Sequence, residues 1–206
     1  YRLYDYLDAG YTVFMDVSAT WCGPCWNYHN GGALDDLYIA HGPSGFPGVA
    51  GSTTDNVMVI WVEGDGTTAD ATMTTGSGSL AGTVNWINPG GAGEIPFPMA
   101  NPATVLANQI NGDYNIGYFP TVYKICPNRT ITEVGQLSAT ALYATVGSCP
   151  AAASQTNDPA MLSYQGTEKS CSAIDLIVRL QNNGTSPMTA CTITATEGAT
   201  QVAQYN

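Results

Sequence analysis

The stretch Val13-Phe14-Met15-Asp16-Val17-Ser18-Ala19-Thr20-Trp21-Cys22-Gly23-Pro24-Cys25 decides how the rest of the chain is read. Tyr11 to Val17 is rich in aromatic and β-branched residues and runs into small ones, the pattern of a buried strand. A C-x-x-C pair follows directly, with Pro24 where the first turn of a helix tolerates proline. Unpaired N–H groups and the positive dipole end at a helix N-terminus favour a thiolate, so Cys22 is the expected nucleophile. Cys25, one turn further in, is placed to attack a mixed disulfide on Cys22 and resolve it. The helix continues through Trp26 to Asn30. Gly31 and Gly32 are expected to break or bend it before Ala33 to Ile39 resume.

Working outward, Asn56 to Val62 is a nearly continuous apolar run, as in a strand covered on both faces of a sheet. Residues 64–101 are dense in Gly, Thr, Ser and Pro with few periodic apolars, which predicts an elaborate surface loop. Ala103 to Ile110 reads as a short helix. Thr121 to Ile125 and Thr130 to Val134 read as a hairpin turning at Pro127-Asn128, and Ser138 to Val146 as a last helix capped by Ser138. The expected order is β-α-β-α-β-β-α over residues 1–149.

Residues 150–160 are small and polar and read as a linker. Beyond it, Ile174, Leu176, Val178 and Leu180 alternate with Asp175, Arg179 and Gln181, and Cys191, Ile193 and Ala195 alternate with Thr192, Thr194 and Thr196. With Asn182 to Pro187 as the turn, this predicts a β-hairpin and the start of an immunoglobulin-like sandwich over 161–206. Such a sandwich takes about seven strands in about 100 residues, so the polypeptide is expected to continue past Asn206.

Sixteen Asp plus Glu against five Lys plus Arg give a net charge of −11, which repels phosphate backbones and argues against nucleic acid as a partner. No apolar run approaches the roughly 18 residues that span a bilayer, and no basic stretch precedes an apolar one. On this reading the chain begins after any export signal. Besides the C-x-x-C there are four widely spaced cysteines, Cys126, Cys149, Cys171 and Cys191. That spacing suits disulfides in an oxidising compartment better than a zinc site. The four allow three pairings; Cys126 with Cys149 and Cys171 with Cys191 are preferred as structural bridges. No metal and no cofactor is expected.

The stretch from Val13 to Cys25 resembles the active-site strand and helix start of the thioredoxin superfamily, and the resemblance covers roughly residues 1–149. It implies an α/β fold with a thioredoxin-like central mixed sheet flanked by helices, here with a long Gly/Thr-rich insertion at 64–101. It implies that Asp16, six residues before Cys22, is a buried acid that relays a proton for the resolving thiol. Phe119-Pro120-Thr121 looks like the family's cis-proline element, with Pro120 beside the dithiol and Trp21, Phe119 and Thr121 contacting an extended substrate segment. The partners implied are protein thiols or disulfides.

Trp26 stands where a basic residue is common in that family, and Gly31-Gly32 interrupt the helix. An aromatic-rich active site followed by a linker and a sandwich start also resembles modules of large exported cell-surface proteins of Bacteroidetes-type bacteria. That likeness implies a secreted or cell-surface location, type IX export and further domains.

Other residues have plainer readings. His29 is expected to be a surface or half-buried structural histidine, and His41 has no partner pattern. Glu63, Asp65 and Asp70 read as a solvated acidic loop rather than a Ca²⁺ site, since their spacing departs from the EF-hand. Trp61, Trp86, Phe97, Tyr114, Tyr118 and Phe119 suit core packing or a cover for the dithiol as well as a carbohydrate platform. The expected function is thiol–disulfide exchange. The rival is a non-catalytic structural or adhesive surface module that assembles through sheet edges. A thioredoxin-type dithiol has a potential of roughly −270 mV, so outside a cell it stays oxidised unless electrons are supplied.

Overall fold

The chain opens with a short helix, α1 (Leu3–Asp8), that leads into strand β1 (Thr12–Ser18), buried along its whole length. In this computed structural model residues 2–49, 51, 53–91, 93–150, 159–164, 177–182 and 186–205 are described. They fall into two compact units, Tyr1–Ala152 and Ala153–Asn206. After β1 come α2 (Gly23–Asn30), α3 (Ala33–His41), β2 (Val57–Glu63) and a single turn of helix, α4 (Thr72–Thr75). Then follow β3 (Met99–Ala100), α5 (Thr104–Asp113), β4 (Thr121–Ile125), β5 (Ile131–Glu133) and α6 (Ala139–Ala144).

The first unit is a mixed α/β structure. Its five strands form one sheet in the order β3-β2-β1-β4-β5. β2 runs parallel to β1 and β3, whereas β4 runs antiparallel to β1 and β5. A parallel neighbour needs a crossover, which α2 and α3 supply between β1 and β2. The break between those helices falls at the glycine pair: Gly32 has φ 72°, a left-handed conformation that a residue with a Cβ rarely adopts. The central strands β1, β2 and β4 are buried on both faces along nearly their whole length; β2 is apolar up to Glu63, whereas β1 and β4 carry the buried Asp16 and Lys124. The β4–β5 hairpin turns where Arg129 donates its N–H to the Cys126 carbonyl at 2.7 Å.

Lys124 is buried on β4. Its ammonium donates to the Thr145 carbonyl at 3.0 Å and to the Ser148 hydroxyl at 2.7 Å, which places a cation at the C-terminal end of α6. Ser138 caps the other end, its hydroxyl accepting the Ala141 N–H at 3.4 Å.

Residues 64–101 differ from the expected surface loop. Met73, Val84, Trp86 and Phe97 from this segment are buried in the main core, and Met99–Ala100 adds an edge to the sheet. These apolar residues have no helical or strand period, so the surrounding Gly and Thr mask them in the sequence. Trp61, Trp86 and His29 form one aromatic cluster, with His29 5.1 Å from Trp86 and Trp86 5.4 Å from Trp61 between ring centroids. His29 is thus deeper than expected, 2% exposed, and its Nε2–H donates to the Trp86 carbonyl at 2.7 Å. His41 stacks on Tyr143 with centroids 3.4 Å apart.

In the second unit β6 (Pro159–Tyr164) pairs antiparallel with β7 (Val178–Asn182), and β8 (Ile193–Glu197) pairs antiparallel with β9 (Thr200–Tyr205). The expected hairpin across Asn182 to Pro187 is therefore replaced. The tight turn lies at Gly198-Ala199, where Gly198 has φ 60° and so suits a hairpin turn. Cys171 and most of Ile174 to Ile177 lie outside the described residues, as does any bridge from Cys171 to Cys191. Cys191 has no disulfide partner among the described residues.

Candidate active site

Strand β1 delivers the chain to the head of α2, and the loop between them carries Thr20, Trp21 and Cys22. Cys22 is the N-cap of α2 in an extended conformation, and its sulfur accepts the Cys25 N–H at 3.2 Å. That cap replaces the usual hydroxyl or carboxylate oxygen with sulfur, and it favours negative charge on Cys22 once the bond is reduced. Cys22 and Cys25 are joined by a disulfide, with Cα atoms 5.2 Å apart. Cys25 is fully buried and Cys22 is 5% exposed.

The Phe119–Pro120 peptide bond is cis, and the Phe119 carbonyl oxygen lies 3.7 Å from the Cys22 sulfur. In the oxidised state this is a contact; a reduced Cys22 thiol would have an acceptor there. Phe119 packs edge-on against Trp21, with centroids 6.1 Å apart. Gly64 allows this approach, because a Cβ on it would meet the Phe119 ring at 2.3 Å. Pro120 is buried, and so is Thr121, whose hydroxyl donates to the Tyr118 carbonyl at 2.6 Å. Trp21 is 43% exposed, and its indole N–H donates to Asp65 at 2.8 Å.

Asp16 lies on β1 between Trp61 of β2 and Val122 of β4. It is fully buried, with one oxygen accepting the Ser18 hydroxyl at 2.8 Å and the other lacking a hydrogen-bond partner. Burial pushes its carboxyl up to about 7, against the smaller downward pull of Ser18. Its charge also helps hold the Tyr28 hydroxyl protonated, after burial of that phenol. Tyr28 follows Cys25 at i+3 on α2, and its hydroxyl donates to the Leu137 carbonyl at 2.9 Å.

A second buried carboxyl was not legible as such. Glu63 is fully buried at the end of β2, whereas the sequence reading placed it in a solvated acidic loop. One oxygen accepts the Thr20 N–H and the other the Asp65 N–H, both at 2.9 Å. Burial raises its carboxyl to about 7, and these N–H groups pull it back only in part. Glu63 thus ties the loop entering Cys22 to the loop holding Trp21. The signal available in the sequence was its place at the end of a fully apolar run. No group of three or more His, Cys, Asp or Glu side chains suited to a metal ion occurs among the described residues.

Residues 72–80 pack on the loop that leads into the dithiol, where a Cβ on Gly78 would meet Trp21 at 2.9 Å. Ser77 donates its N–H to the Thr20 carbonyl at 3.2 Å, and the Ser77 and Thr20 hydroxyls lie 2.9 Å apart. The second disulfide, Cys126 to Cys149, ties the end of β4 to the 3-10 turn after α6, with Cα atoms 5.3 Å apart.

The arrangement can exchange two electrons with a dithiol or disulfide that reaches the Cys22 sulfur. The five-stranded mixed sheet, with a C-x-x-C disulfide at the head of α2, is compatible with a thioredoxin-like fold. Among the described residues no helix is long and apolar enough to cross a membrane. The chain matches no protein-family model, and no curated protein shows significant similarity to it.

Proposed function

We propose that residues 1–149 are a thioredoxin-like module that exchanges thiols and disulfides with protein partners in an oxidising, extracytoplasmic setting, at the cell surface or after secretion. One observation carries the reading: the Cys22 sulfur caps a helix and lies 3.7 Å from the carbonyl that precedes a buried proline. This is the geometry of an attackable sulfur beside backbone that an extended partner segment can pair with.

In the reducing direction, the Cys22 thiolate attacks a partner disulfide, forming a mixed disulfide and expelling one partner thiolate, which takes a proton. Cys25 passes its proton to the ionised form of Asp16 and attacks the Cys22 sulfur. The Cys22–Cys25 bond closes and the second partner sulfur leaves as a thiolate that takes the proton from Asp16, so the partner gains two electrons and two protons, the first proton coming from solvent. A dithiol reductant must then restore the pair. Trp21 and Phe119 frame the entry, and Pro120 and Thr121 supply the backbone edge. The bridges Cys126–Cys149 and Cys171–Cys191 are structural in this reading, and residues 161–206 begin a further, immunoglobulin-like domain of a longer polypeptide.

A second reading rests on the 5% exposure of Cys22 and the packing of residues 72–80 on the loop that leads to it. In it the fold is a non-catalytic structural or adhesive module of an extracellular assembly, joined through sheet edges and neighbouring domains. Insulin reduction with a dithiol as electron donor separates the two. Turnover that disappears in Cys22→Ser supports exchange; a protein without turnover whose Cys22→Ser form assembles normally supports the structural module.

A further inference from the structure

Beside Trp26, on the side of α2 built against residues 72–91, lies an open cavity of about 550 Å³, within the size range of small-molecule sites. Trp26, Thr74, Thr75, Thr83, Asn85 and Asn88 are among the residues that line it, and none of the lining residues carries a charge. We propose that this cavity binds a neutral oligosaccharide. The inference goes beyond the exchange reading and requires no sulfur chemistry.

The polar side chains are already fixed. The Asn85 side-chain oxygen accepts the N–H groups of Ile87 at 3.1 Å and Asn88 at 3.0 Å, and the Asn88 oxygen accepts the Gly93 N–H at 3.0 Å. The Thr74 hydroxyl donates to the Ala71 carbonyl at 3.0 Å and the Thr83 hydroxyl to the Leu80 carbonyl at 2.8 Å. Each rotamer is thus held by backbone, while the amide NH₂ groups remain as donors and the hydroxyl oxygens as acceptors. A ligand meeting this set must both donate and accept at close spacing without bringing charge, which is what the hydroxyl groups of a sugar do. Ordering cost on binding is small because the lining is preformed.

The aromatic wall is equally specific. Trp26 is half-buried, with its ring 5.4 Å from Trp86 and 6.0 Å from His29 between centroids, so its orientation is set from within the core. Trp26 also lines the cavity, where its indole can pack against the C–H groups of a sugar ring. Trp61 and Trp86, which the sequence offered as platform residues, are fully buried and serve as the foundation instead. Alternative ligand classes fit poorly. A phosphate or carboxylate would meet no cation in the lining, and a purely apolar molecule would leave the asparagine amides unpaired. Gly90 and Gly91 lie on the rim with nothing within 4 Å of a built Cβ, which leaves backbone open to the ligand.

The test titrates the full chain with cellotriose, maltotriose, mannotriose and triacetylchitotriose at millimolar concentration, by calorimetry and by amide and indole NMR. An oligogalacturonate of equal length serves as the charged control. The expected result is saturable binding of at least one neutral trisaccharide, shifts at the Trp26 indole and Asn85 amide, and affinity about tenfold lower in Trp26→Ala. Should Trp26→Ala fail to fold, Asn30→Trp at an exposed lining position plugs the cavity from outside and is expected to abolish binding. Absence of binding by every neutral trisaccharide overturns the proposal. So does binding that Asn30→Trp or a folded Trp26→Ala leaves unchanged, or preference for the charged control.

Discussion

Two disulfides lie within one unit and are built for opposite ends. Cys126–Cys149 closes a separation of 23 residues and joins a central strand to the turn after the last helix, with Cys126 buried. Cys22–Cys25 closes a separation of three and joins no two elements of the sheet. By loop-closure entropy the first bond is worth about 3 kcal/mol and the second about 2 kcal/mol. The polar surroundings run the other way. Around Cys22 stand a helix N–H and the Phe119 carbonyl, and the strands that lead to its loop and to the Trp21–Asp65 contact carry the buried carboxyls Asp16 and Glu63. At Cys149 the Thr12 hydroxyl lies 3.6 Å from the sulfur. A bond placed for stability spans much chain and needs few polar neighbours; a bond placed for exchange spans little and is surrounded by groups that stabilise its charged and protonated forms.

The largest effect expected from this contrast is on turnover. Cys22→Ser should lower insulin reduction more than about a thousandfold, while the double variant Cys126→Ser/Cys149→Ser keeps it within a small factor under conditions where it stays folded. Equal loss in both would erase the distinction.

Asp16 supplies the next test, because its surroundings are what the structural bridge lacks. Its folded-state carboxyl is raised to about 7 from 3.8, so the folded protein retains a proton that the unfolded chain has released. Stability therefore falls as pH rises between those values and stays lower above them. Asp16→Asn should thus raise stability at about pH 8 by on the order of 4 kcal/mol and change it little at about pH 4. Urea unfolding at the two pH values checks this; a pH-independent difference would contradict it.

The fold was legible where residues carry their own reason for position. Val57 to Val62 is apolar on both faces because it lies within the sheet, Val13 to Val17 likewise apart from Asp16, and Gly31-Gly32 ends α2 with Gly32 at φ 72°. The cap at Cys22 follows from the same local logic. What was not legible depends on distant partners. Alternation at Cys191, Ile193 and Ala195 matches the half-buried and exposed faces around β8, yet the pattern names a face and not a neighbour, and β8 pairs with β9 instead of β7. Trp86 and Phe97 are core residues in a segment without period, so only the folded chain reveals them. Glu63 was hidden for a related reason: a carboxylate in a Gly-rich acidic stretch looks solvated until the N–H groups of Thr20 and Asp65 are found on it.

Removal of the structural bridge should be felt in stability alone. Cys126→Ser/Cys149→Ser is expected to lose about 3 kcal/mol in urea unfolding, and Cys22→Ser/Cys25→Ser about 2 kcal/mol. A larger loss from the second variant would reverse the assignment of roles.

The smallest effect is expected at Glu63. At about pH 5, where the folded Glu63 carboxyl is still protonated, Glu63→Gln leaves one of the two N–H groups with a poorer acceptor and should cost about 1 kcal/mol. The change should be local, seen as faster hydrogen exchange at Thr20 or Asp65 with β4 and β5 unaltered. Uniform acceleration across the sheet would show that Glu63 supports the whole fold rather than the loop at the dithiol.

The most direct measurement equilibrates the folded protein with graded mixtures of reduced and oxidised dithiothreitol, traps thiols with a mass-tagged alkylating agent and locates the tags by peptide mapping. Cys22 and Cys25 are expected to open and close together, reversibly and without unfolding, while Cys126 and Cys149 stay joined. A Cys22–Cys25 bond that resists the reductant until denaturant is added, or that opens only together with Cys126–Cys149, would contradict this expectation.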